Sequence, residues 1–248
     1  MASPTKHTLL YLPFGGRAES IRLTAAIGKV AFSNKVLPFD EYMAMKKEEN
    51  KLPLGQLPAL EIEYDNGEKE IIPQTDAILC YFGKIGGLYP DNFVDALKVD
   101  SYLSTIQEII HNIASTAVGP VKSYNHSPDE ELTKQQRLAI KERLVASNFP
   151  KLFGHLEEAI EKNGSGWLVG NYVTVADVKL HHPVDWVLTG HLDGIPPSAL
   201  NKYPNVLNLA KRIEELPDVV SFHKRYGGQS KPYGTFDFDP QEIDDNAV

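Results

Sequence analysis

Hydrophobic and polar positions follow two different rhythms along this chain, and the change falls near the glycine pair Gly86-Gly87. Before it, residues 8–12 form a short apolar, β-prone run that Gly15-Gly16 interrupts, and residues 17–28 follow with apolar Ile21, Leu23, Ala25, Ala26 and Ile27. That pattern predicts strand, loop and helix. Residues 32–39 predict a second strand, and the polar, lysine-rich residues 41–51 either a helix or an ordered loop. Strands over 59–64 and 68–72 flank Asp65-Asn66-Gly67, where Asn-Gly is the strongest short hairpin signal. A helix over 75–84 completes a compact β-α-β-α-β-β-α unit.

Beyond Gly87, residues 94–117, 129–162, 174–188, 204–216 and 217–226 carry helical period and helix punctuation, with no convincing strand between them. Thr174 with Asp177 three residues later reads as a variant capping box, and Tyr172 or Val173 can supply the hydrophobic staple. The expected organisation is an α/β domain over residues 1–86, an all-α helical domain over 93–228 and an acidic C-terminal tail over 229–248. In that tail Asp237, Asp239, Glu242, Asp244 and Asp245 argue for partial disorder.

A chain of 248 residues can bury one large or two smaller cores without covalent staples. Asp plus Glu outnumber Lys plus Arg 33 to 25, a net charge of -8, so the overall balance does not suggest a nucleic-acid partner. The single Cys80 leaves no intramolecular disulfide and no cysteine metal cluster, and it fits a reducing, cytoplasmic compartment. Residues 1–7 lack an apolar signal core, and no run reaches the roughly 18 apolar residues of a membrane helix, so no membrane partner is expected. His111, His155, His181, His182, His191 and His223 do not form a tight ligand pattern, and no metal site is expected.

Three short stretches carry candidate chemistry. Tyr11 closes the first apolar run just before a glycine-broken loop; alone, a strand tyrosine reads as core packing. Pro58 in Gly55-Gln56-Leu57-Pro58 stands at a strand start, where a trans edge proline and a cis Leu57-Pro58 turn are both open and the first is commoner. Thr75 in Pro73-Gln74-Thr75-Asp76 can cap the following helix, or present its hydroxyl and neighbouring N–H groups to a carboxylate.

Taken in order, the Tyr11 strand, the Gly16-Arg17-Ala18-Glu19 helix start, the Gln56-Leu57-Pro58 turn, the Gln74-Thr75-Asp76-Ala77-Ile78 cap and the later Gly170 to Val178 segment "GNYVTVADV" resemble the cytosolic glutathione transferases. The resemblance spans about residues 7 to 226 and is nearest the tyrosine-type classes (sigma, alpha, mu and pi), with a lean to sigma. It implies an N-terminal thioredoxin-like domain that binds glutathione as co-substrate and a helical domain that receives a hydrophobic electrophile. It further implies a cytoplasmic, detoxifying homodimer. By resemblance, Tyr11 donates a hydrogen bond to the glutathione sulfur and Arg17 supports it. Leu57 pairs its backbone with the cysteinyl part, Pro58 is cis, and Gln74 and Thr75 hold the γ-glutamyl carboxylate, with threonine where serine is usual. Gln56 falls where some members carry a lysine near the glycyl end.

Glu108 matches an acidic residue that many members extend across the dimer, although a solvated helix face explains it equally well. The family pattern also departs here. Where sigma-like members carry a tryptophan and a lysine for the glycyl carboxylate, this chain has Met45 and Glu49, so Lys46, Lys47 or Lys51 is expected to take the cationic role. Residues near Leu12, Phe14, His111, Ser115, Val118 and Tyr233 are expected to line the electrophile pocket. The same thiolate could serve a prostaglandin D synthase-like isomerase or a peroxidase. From another class comes a non-catalytic dimerisation or ligand-carrying module, as in lens crystallins of this fold.

Overall fold

The computed structural model describes residues 2–48, 51–114, 134–190, 192, 194–228 and 232–242. Two compact units result, one of Met1–Tyr89 with Glu214–Val248 and one of Pro90–Ile213. The first unit is built on a five-stranded sheet: β1 (Pro4–Tyr11), β2 (Phe32–Val36), β3 (Ala59–Tyr64), β4 (Lys69–Pro73) and β5 (Phe236–Phe238), in the order β4-β3-β1-β2-β5. β1 pairs parallel with β2 and antiparallel with β3, while the β3–β4 and β2–β5 pairs are antiparallel. β1 is therefore central, which is why Leu9, Leu10 and Tyr11 are buried in succession instead of alternately. The hairpin turns at Asn66-Gly67, with Gly67 at positive φ, as its dipeptide predicts.

Helices α1 (Glu19–Ile27), α2 (Phe39–Lys47) and α3 (Thr75–Ile85) complete the expected order, and the lysine-rich segment resolves as a helix up to Lys47. Every residue from Glu19 to Ala26 is buried, because α3 and the later helix α9 (Pro217–Tyr226) both pack on α1. A helix covered all round cannot leave Glu19 and Arg22 in water, so they must find partners inside. The α1–α3 approach is set by two glycines: a Cβ on Gly28 would lie 2.8 Å from the Gly86 Cα.

The C-terminal stretch differs from the expectation of a partly disordered acidic tail. Phe236 and Phe238 alternate with Asp237 and add an edge strand to β2. The Phe236 ring stacks on Tyr226 at 4.2 Å between centroids, and Phe238 lies 5.6 Å from Phe32 and 5.5 Å from Phe222. Aromatic burial on one face outweighs the charge on the other. The compact units thus assign α9 and the β5 stretch to the sheet unit, although residues 217–228 were expected within the helical domain.

The second unit contains α4 (Phe93–Ala114), α5 (Lys134–Arg143), α6 (Phe149–Asn163), α7 (Val175–Leu188) and most of α8 (Pro204–Glu214). A π-helical turn, Leu144–Asn148, joins α5 to α6 immediately before Pro150, so one expected helix becomes two. Proline lacks the N–H that would bond back one turn and its ring crowds that carbonyl; a wider turn relieves both. Thr174 and Asp177 form the predicted capping box at the start of α7. Asp177 also accepts from the Leu168 N–H at 2.7 Å, and burial pushes its carboxyl up to about 6 although the hydrogen bonds pull it back. Glu157 on α6 caps α8, accepting from the Asn205 and Val206 N–H groups at 2.9 Å each. Among the described residues, no helix is long and apolar enough to cross a membrane.

Candidate active site

Tyr11 ends the central strand, where its carbonyl accepts from the Leu37 N–H at 2.8 Å. The chain then turns through Leu12 to Gly15 and enters α1 by a short 3-10 turn, Gly16–Ala18. At that turn the Arg17 N–H donates to the Tyr11 phenol oxygen at 3.1 Å. Gly16, at φ +47°, lies directly against the same oxygen: a Cβ there would stand 2.6 Å from it and 2.9 Å from the Phe14 ring. Only glycine fits. Phe14 meets the Tyr11 ring edge-on at 5.6 Å and remains 43% exposed, so this edge of the site opens to solvent. A phenol oxygen that accepts a backbone N–H near a helix start carries developing negative charge more readily, and its own O–H becomes a stronger donor.

Strand register brings the other expected segments to the same end of the sheet. Leu10 pairs with Ala59, and Ala59 with Pro73, so Tyr11, Pro58 and Gln74 each stand one residue beyond that register on three adjacent strands. The Leu57-Pro58 bond is cis. Gln74 Nε2 donates to Gln56 Oε1 at 3.3 Å, joining two of the expected ligand residues. Thr75 does not cap α3: Gln74 occupies the N-cap at φ 89° and ψ 114°, and Thr75 is the first helical residue. Positive φ in a non-glycine residue is uncommon, and such conformations concentrate at ligand sites. The turn lifts Gln74 out of the strand and points the start of α3 at the same sheet end.

The expected cations separate. Lys47 is exposed at the end of α2, and Lys51 pairs with Glu48 at 3.8 Å. Lys46 instead lays its stem on Gly55, one residue before Gln56, with its Cγ 3.0 Å from where a Gly55 Cβ would be. Glu49 lies outside the described residues, as do Ser115 and Val118. Glu108 is exposed on α4, and His111 is on the same helix, both in the second unit. Tyr233 differs from its expected place in the pocket wall: it is 2% exposed, and its hydroxyl donates to Glu19 Oε1 at 2.8 Å.

That last contact belongs to a buried charge network the sequence reading missed. Arg22, not Arg17, is the enclosed arginine. Its Nε donates to Asn34 Oδ1 at 2.9 Å, its Nη1 to the Phe14 and Gly15 carbonyls at 3.3 Å each, and its guanidinium lies 3.6 Å from Glu19. Its Cζ stands 4.0 Å from the Tyr233 ring centroid and 5.7 Å from that of Tyr11. His223 Nε2 meets Glu19 Oε1 at 2.9 Å, and its Nδ1 lies 3.6 Å from Glu214. Burial works to lower the His223 pKa, but its bonds to these two carboxylates raise it to about 9. Burial likewise works to raise the Glu19 carboxyl, and His223 and Arg22 hold it below the usual carboxylate value. The spacing of Glu19 and Arg22, three apart on a helix that carries no other charge, was the available signal.

Residues 121–225 match the family described as Glutathione S-transferase, C-terminal domain. Glutathione S-transferase A3 of Mus musculus is 30% identical over 229 residues, covering 92% of this chain and 92% of that protein. S-crystallin SL11 of Nototodarus sloanii is 24% identical over 221 residues, 88% of this chain and 96% of that protein. The structure of a sigma class GST from Fasciola hepatica shares the fold at a TM-score of 0.72 and 18% identity, over 89% of this chain and 96% of that one. A thioredoxin-like sheet unit followed by a helical unit, with full-length identity at this level, makes this chain a member of the glutathione S-transferase family, of the cytosolic type with alpha- and sigma-like relatives.

Proposed function

We propose that the chain is a glutathione transferase in which Tyr11 donates a hydrogen bond to the glutathione sulfur and the thiolate attacks a hydrophobic electrophile. The observation that carries this reading is the phenol's setting: its oxygen accepts from the Arg17 N–H and lies against the bare Cα of Gly16. A free thiol has a pKa near 8.5, and each unit of lowering needs about 1.4 kcal/mol of preferential thiolate stabilisation. One strong donor at the sulfur supplies an amount of that order.

Glutathione fits the sheet end assembled around Tyr11. The Leu57 backbone beside cis-Pro58 would pair with the cysteinyl part, and Gln74, Thr75 and the start of α3 would hold the γ-glutamyl carboxylate. Gln56 with Lys46, Lys47 or Lys51 would meet the glycyl carboxylate. Glu108 of a second copy would approach the γ-glutamyl amine. A homodimer is supported by apolar surface in both units: Leu54 is 71% exposed at positive φ, and Phe93, Val94 and Leu97 line the start of α4 in the open. A cytoplasmic site of action accords with the lone Cys80.

The S-crystallin relative favours one rival, a non-catalytic module. Retention on immobilised glutathione followed by conjugation to a generic aryl halide separates the two. The transferase reading expects retention, turnover, and a Tyr11→Phe variant that keeps glutathione affinity while its bound thiol titrates higher and its neutral-pH turnover falls. Retention without turnover supports the module. An unchanged thiol titration in Tyr11→Phe removes Tyr11 from the mechanism.

A further inference from the structure

The C-terminal stretch makes four successive attachments to the sheet unit. Tyr233 donates to Glu19 Oε1 at 2.8 Å; the Gly234 carbonyl accepts from Asn34 Nδ2 at 2.8 Å; the Thr235 hydroxyl accepts from the Val36 N–H at 3.1 Å; and Phe236–Phe238 pair with residues 32–34 as β5. About 200 residues of sequence separate the partners, so these bonds are tertiary, not local. Their distribution is informative. Glu19, Asn34 and Val36, which the first three engage, connect to the Tyr11 strand and loop.

Two routes lead there. In the first, Tyr233 and His223 share one oxygen of Glu19, and Glu19 lies beside Arg22. Arg22 also faces the Tyr233 ring at 4.0 Å, and it donates from Nε to Asn34 Oδ1 and from Nη1 to the carbonyls of Phe14 and Gly15. Those two carbonyls fix the loop whose next residues are Gly16, packed on the phenol oxygen, and Arg17, the donor to it. In the second route, Thr235 holds Val36, which pairs with Tyr11 in the parallel ladder, and the following Leu37 N–H donates to the Tyr11 carbonyl. The phenol is thus clamped from its loop and from its strand by one short segment.

We infer that Tyr233 and Thr235 of the C-terminal segment are positioning residues for Tyr11, acting through Glu19-Arg22 and through Val36 to hold the phenol against Gly16 and the Arg17 N–H. The inference rests on the role given to Tyr11 above and extends it to the far end of the chain. Removing one hydroxyl from the clamp loosens the phenol's aim at the sulfur without touching the groups that would bind the glutathione carboxylates. The charged groups facing this clamp are Glu19 and Arg22 of α1, Glu214 of α8 and His223 of α9, and neither variant below removes any of them.

The test is a double-mutant cycle on the pH–rate profile of aryl halide conjugation, with Tyr233→Phe and Thr235→Val each made alone and in the Tyr11→Phe background. Both single variants keep the buried ring or the branched side chain, and thermal melts confirm folding. Each is expected to lower kcat at neutral pH by about two- to fivefold and to move the profile toward higher pH, while KM for glutathione stays within about twofold. In the Tyr11→Phe background the same substitutions should change little, because the group they position is gone. Equal losses in both backgrounds, a loss independent of pH, or unchanged profiles in both single variants would overturn the inference. If Tyr11→Phe shifts the profile and the two C-terminal variants do not, only this inference fails; if Tyr11→Phe itself shifts nothing, the Tyr11 reading falls as well.

Discussion

His223 offers a direct measurement of what the buried network contributes to folding. Its imidazole lies between Glu19 and Glu214, with a side chain 20% exposed, and its pKa is raised from about 6.5 to about 9. A raised folded-state pKa means that the stabilisation is fully present below pH 6.5 and is lost as pH rises through 9. At about 1.4 kcal/mol for each pH unit between 6.5 and 9, the upper limit is about 3.5 kcal/mol. Solvent reaches part of the ring, so about 2 to 3 kcal/mol is the expected fall between pH 6 and pH 9.5. Other shifted groups are common to wild type and variant. Asp177, which burial raises to about 6, and His7, which burial lowers, are present in both proteins, so their contributions cancel when wild type is compared with a His223 variant. The assay is urea unfolding followed by backbone circular dichroism across that range, since both tryptophans, Trp167 and Trp186, belong to the other unit. His223→Gln should be less stable than wild type at pH 6 and nearly equal to it at pH 9.5. Parallel stability curves for the two proteins would refute the account.

The expected α/β order of the first 85 residues was legible because each element has its own period and each boundary its own punctuation. The Asn66-Gly67 hairpin and the Thr174-Asp177 capping box were readable from a few adjacent residues, since both are local devices. What escaped was nonlocal. Phe236-Asp237-Phe238 alternates as a strand should, but its acidic neighbours masked the signal, and its partner Phe32 lies some 200 residues away. Arg22 is enclosed only because α9 packs over α1, and the place of Tyr233 follows from its bond to Glu19. The site shows the same division. Tyr11, Leu57-Pro58 and Gln74 stood out by family resemblance, yet it is the register Leu10–Ala59–Pro73 that explains why they share one sheet end.

Gly16→Ala should cut conjugation at least about tenfold while costing only about 1 to 2 kcal/mol of stability, because its Cβ would displace the Tyr11 oxygen from a position at positive φ; turnover and a thermal melt check this, and retained activity would show that the phenol is not held there. Asp177→Asn should destabilise the helical unit by about 2 to 3 kcal/mol, seen in tryptophan fluorescence, since an amide cannot accept from both Leu168 and Thr174 as the carboxylate does. Glu108→Gln should weaken glutathione binding without separating a dimer, measurable by calorimetry and light scattering. The lysines near Gln56 make the closing case. A cation reading the glycyl carboxylate touches a part of glutathione remote from the sulfur, so it contributes equally to ground and transition states and should appear in KM, not kcat. Lys46 has its stem anchored on Gly55 beside Gln56, whereas Lys51 is engaged by Glu48 and Lys47 extends from the helix end. Anchoring reduces the side-chain entropy that an exposed pair must overcome. Lys46→Ala should therefore raise KM for glutathione about three- to tenfold, with smaller effects from Lys47→Ala and Lys51→Ala, and added salt should shrink the wild-type advantage. Unchanged KM in all three variants at low salt would leave the glycyl end to Gln56 alone.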